Sequence, residues 1–518
     1  MTNDLLSLST NEFIGGIETV APRFDSASYP QQNLPSDDWT LLTKAGVLLP
    51  TLPKEYGGRD DHAEMCKVVE TLSEWNLPLG MYVTVISAVA LRPIVLWAGE
   101  EAKREVLPSY AGGDPMICGF ASTEPGAGSA MSGMTTTFEE VESGYRIRGR
   151  KHWQAFSISA HWWLVSAKNA QNEARDGREY GYFIVKRSEG FRTLRPYEPL
   201  GLKVIDYGLN EIDAVVPRHR RIPADGRTLR PMVEMLMASR AMMAAMGTGF
   251  LRRISREAHA YAARRRIGRR PQSAIRFVRY RLAAIDASYT VCAALNHYLR
   301  TALNMKSEMI GAFPAVQAIK TVATERMLSS ANHYQQLVGG EGYRYESPTN
   351  ISAQAFLDAR VYTIFDGTND LLSQQLTEYC LARTEGRTLS RFLAEWPLTA
   401  PAVGTHRLDL RFLDREPRQE HLVLAGRAIA YAFAIGRVMR WAAETGADPG
   451  AARTAIEFLK ADIAGVATEF ELLSAGVIGG PHGLGDEDGA AEGENAAAEG
   501  ENGAGAWIPR TVPVSSEA

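Results

Sequence analysis

Apolar residues recur at helical spacing in Trp39-Thr-Leu-Leu-Thr-Lys-Ala-Gly-Val-Leu-Leu, and the pattern stops near Gly46. Ala63 to Trp75 and Met81 to Gly99 continue in the same style, so residues 35 to 112 are predicted to be helical. Pro53-Lys-Glu-Tyr-Gly-Gly58 between them is a turn by composition. The character changes near residue 116. Gly144-Tyr-Arg-Ile-Arg-Gly149 alternates polar and apolar residues, and Trp162 to Ala167 and Tyr180 to Val185 are short, β-branched and aromatic. These are strand signals, and they predict a small β domain over 116–223. From Met232 the pattern turns helical again. Met232 to Ala263, Ala274 to Leu303 and Ala315 to Val338 are long amphipathic runs that predict an antiparallel bundle. His421 to Gly446 and Ala451 to Ala475 form a further helical block. Gly483 to Gly505 repeats Ala-Glu-Gly-Glu-Asn without apolar anchors and is expected to be disordered. The expected fold class is therefore mainly α with a small β domain. Its divisions are 1–115 helical, 116–223 β, 224–385 bundle, 386–475 additional helices and 476–518 tail.

Composition changes this picture little. At 518 residues the chain exceeds one compact core, and about 150 residues per domain suggests roughly three domains. It is 45% hydrophobic and 22% charged, with a net charge of -4, which argues for neither nucleic acid nor membrane as partner. Cys66, Cys118, Cys292 and Cys380 are far apart and form no CxxC pair. No metal site or disulfide framework is expected, and reduced thiols fit a cytoplasmic protein. Asp4, Asn11 and Glu12 interrupt any signal peptide, and Arg92 and Pro93 break the apolar run Val85 to Ala98.

The chemistry is carried by a few short segments. Thr123-Glu-Pro-Gly-Ala-Gly-Ser129 follows the apolar run Met116 to Phe120, as a loop does when a strand ends at a ligand site. Its glycines allow close backbone approach to a flat ligand. Eleven arginines fall between Arg252 and Arg281. They suit either a solvated helix face or a docking face for an anionic partner. Asp366 lies in Ile364-Phe-Asp-Gly-Thr368, just before a predicted helix from Asp370 to Arg383 that Thr368 or Asn369 can cap. The positive end of that helix favours an ionised Asp366.

Five segments in order resemble the acyl-CoA dehydrogenase superfamily of FAD enzymes over roughly residues 35–385. They are Glu55-Tyr-Gly-Gly58, Thr123 to Ser129, Gly149-Arg-Lys-His-Trp153, Gln336-Leu-Val-Gly-Gly-Glu-Gly-Tyr343 and Ile364 to Thr368. The resemblance implies a helical domain, a central β-barrel or sandwich-like domain and a helical bundle, assembled as a homodimer or homotetramer. It implies that Phe120, Thr123, Gly128, Ser129, Trp153 and Ala155 line the flavin. Gln336, Gly339 and Gly340 would meet the adenine half of FAD from a neighbouring subunit, and Arg264 or Arg265 its pyrophosphate, a one-residue ambiguity. Thr368 and Asn369 are assigned to the cofactor, and Ser129, Arg240 and Gly367 to the substrate.

On the same resemblance, Asp366 is the base that removes the α-proton of an acyl thioester while the β-hydrogen leaves as hydride to flavin N5. The backbone N–H of the base residue and a flavin hydroxyl would serve the thioester oxygen. The thioester would be acyl-CoA or acyl carrier protein, and the electron acceptor a flavoprotein or oxygen. Several positions depart from the family pattern. Asp366 replaces the usual glutamate, Ala155 replaces a Ser or Thr that bonds flavin N5, Leu357 replaces an arginine, and Ala130 replaces an aspartate. Ser157 is a candidate substitute for the missing hydroxyl at 155. Nitroalkane oxidases share the fold and use an aspartate paired with an arginine about two helical turns on, where this chain has Ser373. An oxidase or monooxygenase on this fold, or a non-catalytic flavin-binding relative, are the alternatives to a dehydrogenase.

Overall fold

The computed structural model describes residues 2–478 except 130, 172–178, 224–228 and 416. Ala130 and the acidic repeat at 483–505 lie outside the described residues. The N-terminal part is helical, and its central members are His62–Trp75 and the unbroken run Leu77–Trp97. Arg92 and Pro93 interrupt the apolar run, and the helix continues through them as the helical spacing of Met81 to Gly99 predicts. Val85–Leu91 is a π-helix, and the Arg92 N–H donates to Ser87 O, five residues back. The widened turn ends just before Pro93, which then sits in the first turn of Arg92–Trp97. Leu77–Trp97 and Gln419–Thr445 are apolar enough to cross a membrane, yet 89% and 72% of their apolar windows are buried within the protein. That burial makes them core helices.

The middle part is one seven-stranded sheet. Its strands are β1 (Cys118–Ala121), β2 (Thr137–Val141), β3 (Gly144–His152), β4 (Trp162–Asn169), β5 (Tyr180–Lys186), β6 (Phe191–Tyr197) and β7 (Tyr207–Val216). β5 runs antiparallel along β4. Parallel β1 and β2 share the other edge of β4, at its start and its end respectively. From β2 the sheet continues antiparallel through β3 and β7 to β6.

The Arg230–Arg264 helix is the spine of the molecule. It packs on His62–Trp75 and on the bundle helices Arg276–Ala302 and Phe313–Val338. Gly249 permits the first crossing, because a Cβ there would lie 2.0 Å from Glu70 O. The block beyond residue 386 is not a separate body. Gln419–Thr445 packs against Asn369–Leu381, Arg276–Ala302 and Phe313–Val338, and Pro449–Ser474 pairs with it. Gly426 makes this docking close, since a Cβ would meet Ser373 O at 1.9 Å. The bundle is thus extended by two long helices.

Candidate active site

The 123–129 loop is pinned from beneath. Glu124 is buried to 1% exposure, and its Oε1 accepts from Lys151 Nζ at 2.8 Å, with Lys151 fully buried on β3. Thr135 and Thr136 N–H also donate to Glu124, at 2.6 and 3.0 Å. Lys151 donates further to Ser122 O at 3.0 Å. Burial raises Glu124, but Lys151 and the threonine donors outweigh it and hold the carboxyl down at about 2. Burial pulls the Lys151 ammonium down to about 8, against the attraction of Glu124. Both are charged at neutral pH. Glu124 is therefore an internal anchor of the loop, and no local pattern marks Lys151 as its partner.

The anchored loop turns its glycines outward. Gly126 has φ 88°, and a Cβ at Gly126 or Gly128 would meet nothing within 4 Å. Ser129 is exposed, while Phe120 and Thr123 are half-buried beside the loop. Thr123 O accepts from His152 N–H at 3.0 Å and Gln154 Nε2 at 2.9 Å, which places Trp153 against the loop. Trp153 has φ 60° and is 52% exposed. Its ring stands 4.8 Å from that of Tyr197 and 6.1 Å from that of Tyr207. A large aromatic held out in a left-handed backbone is a strained arrangement typical of ligand sites. Ala155 offers no side-chain hydrogen bond. Ser157 cannot replace it: it is fully buried, donates to Gln154 O and accepts from Asn210 Nδ2, both at 2.8 Å. That expectation is corrected.

Asp366 is held by two helices. It has φ 56°, followed by Gly367 at φ 92°, so the chain turns sharply before Asn369–Leu381. Thr368 caps that helix, accepting from Leu371 N–H at 3.3 Å. Ser239 Oγ donates to Asp366 Oδ2, and Arg240 Nε donates to Asp366 O at 2.7 Å, so neighbouring residues of the Arg230–Arg264 helix hold its side chain and its backbone. Arg240 Nη1 donates to Gln317 Oε1 at 3.1 Å. Lys320 Nζ, from Phe313–Val338, donates to Gly367 O at 2.9 Å and Asn369 Oδ1 at 2.7 Å. Among the described residues, the Asp366 N–H has no backbone partner.

Burial raises the Asp366 carboxyl, and the Ser239 hydroxyl, then Arg240 and Lys320, oppose it without cancelling it. Burial draws Lys320 down to about 7, with Asp366 opposing. Tyr207 links this half of the site to Trp153: burial raises its phenol, helped by Asp206, Asp358 and Asp366.

Three of the assigned residues also carry internal bonds. Arg240 holds the 366 turn through Nε and Gln317 through Nη1. Lys320, Thr324 and Glu325 engage the Asn369 side chain. Thr368 uses one lone pair of its hydroxyl as the helix cap. Gly367 remains half-exposed beside Asp366, with its carbonyl turned to Lys320. Ser373 lies against Gly426 of the added helix, so the cations near Asp366 come from Arg240 and Lys320 instead. Leu357-Asp358-Ala359 is structural: Asp358 accepts from Leu202 N–H at 2.7 Å and ties the 199–206 segment to Ser352–Arg360. Sequence reading missed Ser239 and Lys320. The signal for Lys320 was its spacing from Gln317 and Thr324, three and four residues away on one face of Phe313–Val338.

The remaining cofactor assignments fall on one exposed surface. Gly339 (φ 76°) ends Phe313–Val338, and a Cβ at Gly339 or Gly340 would meet nothing within 4 Å. Gln336 is exposed beside them. Arg265 Nη1 donates to Tyr261 Oη, and Tyr261 donates to Val338 O, each at 3.0 Å. Arg265 therefore adjoins the Gln336–Gly340 segment. Arg264, the last residue of its helix, makes no such link, and this favours Arg265 of the two.

Sequence comparison agrees with this geometry. Family profiles described as acyl-CoA dehydrogenase N-terminal, middle and C-terminal domains match residues 16–114, 119–215 and 229–381. The chain belongs to the acyl-CoA dehydrogenase family, and it is an FAD-dependent oxidoreductase. An acyl-CoA dehydrogenase of Bacillus subtilis (strain 168) is 25% identical over 349 residues, 66% of this chain and 89% of its own length. In fold, the chain is similar to an acyl-CoA dehydrogenase complexed with FAD from Bacillus anthracis. That match has a TM-score of 0.72 and 19% identity, covering 99% of this chain and 92% of the other. The prolyl acyl carrier protein oxidase AnaB matches with a TM-score of 0.63 and 18% identity, covering 71% of this chain and 98% of its own.

Proposed function

We propose that the protein dehydrogenates an acyl thioester between its α and β carbons, with Asp366 as the base. The observation that carries this reading is the position of Asp366. It is a half-buried carboxylate on a left-handed turn, fixed by Ser239 and Arg240, with its own N–H free. Ser239 occupies Oδ2, which leaves Oδ1 to take a proton. The free N–H suits a thioester oxygen that gains charge as the α-proton departs.

The residues present fit FAD. The open glycines of the 123–129 loop and the projecting Trp153 offer a face for the flavin ring. Arg265, Gln336, Gly339 and Gly340 offer a separate exposed surface suited to phosphate and ribose, which would serve the FAD of a second copy of the chain in a homo-oligomer. When bound, FAD supplies the two-electron acceptor for the β-hydrogen. The chain itself binds and orients the thioester, holds the base and receives the α-proton on Asp366.

Ser239 and the two cations favour the carboxylate, whereas burial disfavours it. Ser239→Ala removes a donor to the charged form. The acid limb of the kcat/KM profile is expected to move upward by about one pH unit, and kcat to fall about tenfold, because the shorter aspartate loses its alignment. Ser239→Thr restores both. A pH–rate profile for the three proteins checks this.

Ala155 favours a second reading. No side-chain hydroxyl is available two residues after Trp153, and Ser157 is engaged elsewhere. That is compatible with an oxidase or monooxygenase that passes electrons to oxygen. An oxygen electrode separates the two readings, with the thioester presented on CoA and on a carrier protein. For the dehydrogenase, enoyl thioester accumulates only with an added electron acceptor and oxygen uptake stays slow. Rapid oxygen uptake matched to turnover selects the oxidase.

A further inference from the structure

Arg437 lies on the added helix Gln419–Thr445, in a cleft where that helix meets Arg276–Ala302. It is 4% exposed. Among the described residues it makes no hydrogen bond or ion pair, and its Nε is buried without a partner. Aromatic rings cover it instead. Its guanidinium carbon is 4.8 Å from the centre of the Tyr298 ring and 5.3 Å from that of Phe433. Those two rings meet edge-to-face at 5.6 Å and form the corner that holds it. Its Nη atoms are neither bonded nor among the buried unpartnered atoms, so they open on the cleft.

The carboxylate that lines the cleft, Glu444, acts on Arg437 through space but is bonded elsewhere. Glu444 accepts from Arg440 Nε at 2.6 Å and faces His297 Nε2 at 2.7 Å. The cleft, which Trp441 also lines, therefore holds two guanidinium groups against one carboxylate. A buried cation without a counter-charge is costly, and proteins pair such groups or neutralise them. Arginine cannot neutralise itself near neutral pH, so pairing is what remains. The enclosed part of the cleft is about 10 Å³, the scale of one water molecule. It takes one oxygen of an oxyanion, whose remaining atoms then lie at the open side of the cleft.

We propose that Arg437, with Arg440 beside it, binds a small oxyanion, either a carboxylate or a phosphate group, at the seam between the bundle and the added helices. The guanidinium edge suits two oxygens of one such group, while the aromatic rings exclude water from its faces. Binding would bridge no covalent chemistry. It would tie the added helices to the bundle by supplying the missing negative charge.

The test uses the full-length FAD-loaded protein in a zwitterionic buffer of low ionic strength. Sodium acetate and sodium phosphate are titrated against sodium chloride at matched ionic strength, and the melting temperature is followed. Either oxyanion is expected to raise it saturably by about 1–3 °C in the millimolar range, beyond the chloride control. The arm that saturates at lower concentration tells carboxylate from phosphate. Arg437→Leu keeps the apolar contacts without the charge, so it should fold, retain thioester turnover and lose the saturable rise. Calorimetric titration of phosphate and of acetate into the unmodified protein gives a readout that needs no variant, with one site per chain expected for at least one of them. An identical response in Arg437→Leu, a chloride response equal to that of the oxyanions, or no heat above dilution with either would overturn the proposal.

Discussion

Asp366→Asn is expected to lower thioester turnover by about 10³-fold or more while the protein stays folded and keeps its FAD. A positioned base is worth about 10²–10⁴-fold. Asparagine preserves the shape and removes only the basicity. Its amide oxygen can still accept from Ser239, and the contacts of Arg240 with the 366 carbonyl and of Lys320 with the 367 carbonyl are backbone contacts that the substitution leaves alone. The helix cap at Thr368 is likewise independent of the side chain at 366. Retained flavin absorbance and melting temperature, measured beside kcat, separate loss of chemistry from loss of structure. Turnover within tenfold of the unmodified enzyme would remove Asp366 from the mechanism.

The second large effect is on stability. Lys151→Met leaves Glu124 buried, and an uncompensated buried charge costs about 3–5 kcal/mol. The double variant Lys151→Met, Glu124→Gln should recover part of that loss, because it removes the buried charge and the single amide oxygen can still accept from Thr135, although the amide NH2 then faces the Thr136 N–H. Denaturant unfolding measures both. FAD retention should follow the same order, because the 123–129 loop hangs on Glu124. The pH dependence has a definite sign. The Glu124 carboxyl is held at about 2 in the folded chain, below its unfolded value of about 4.3. Its contribution is present above that unfolded value and is lost as pH falls toward about 2. Stability that did not change between the single and double variants would contradict the anchoring role.

Much of the architecture is legible in the residue pattern. The long bundle helices begin and end within two residues of where the 3.6-residue spacing places them: Met232 to Ala263 is observed as Arg230–Arg264, and Ala315 to Val338 as Phe313–Val338. Three strands are visible as short apolar or alternating runs. β6 is not, because it is an edge strand whose Arg192, Arg195 and Pro196 face solvent. The run read as Met81 to Gly99 is observed as Leu77–Trp97, and the π turn Val85–Leu91 within it leaves no mark in the residue pattern. At the site, single residues with a special backbone are visible through their neighbours, as with Asp366 before Gly367. What the sequence does not reveal are pairings between distant segments. Lys151 and Glu124 are 27 residues apart, and Ser239 and Asp366 are 127 apart. Lysines and serines of this kind resemble ordinary polar residues until the fold removes water from them.

The central claim is that Asp366 takes an α-proton from a thioester as the flavin is reduced. Anaerobic single-turnover mixing of the FAD-loaded protein with an acyl thioester, unlabelled and α-deuterated, tests it most directly. The expected result is loss of the oxidised-flavin absorbance with formation of the α,β-unsaturated thioester, slowed several-fold by deuterium and nearly abolished in Asp366→Asn. Flavin reduction that is indifferent to the α-deuterium and equally fast in Asp366→Asn would contradict it.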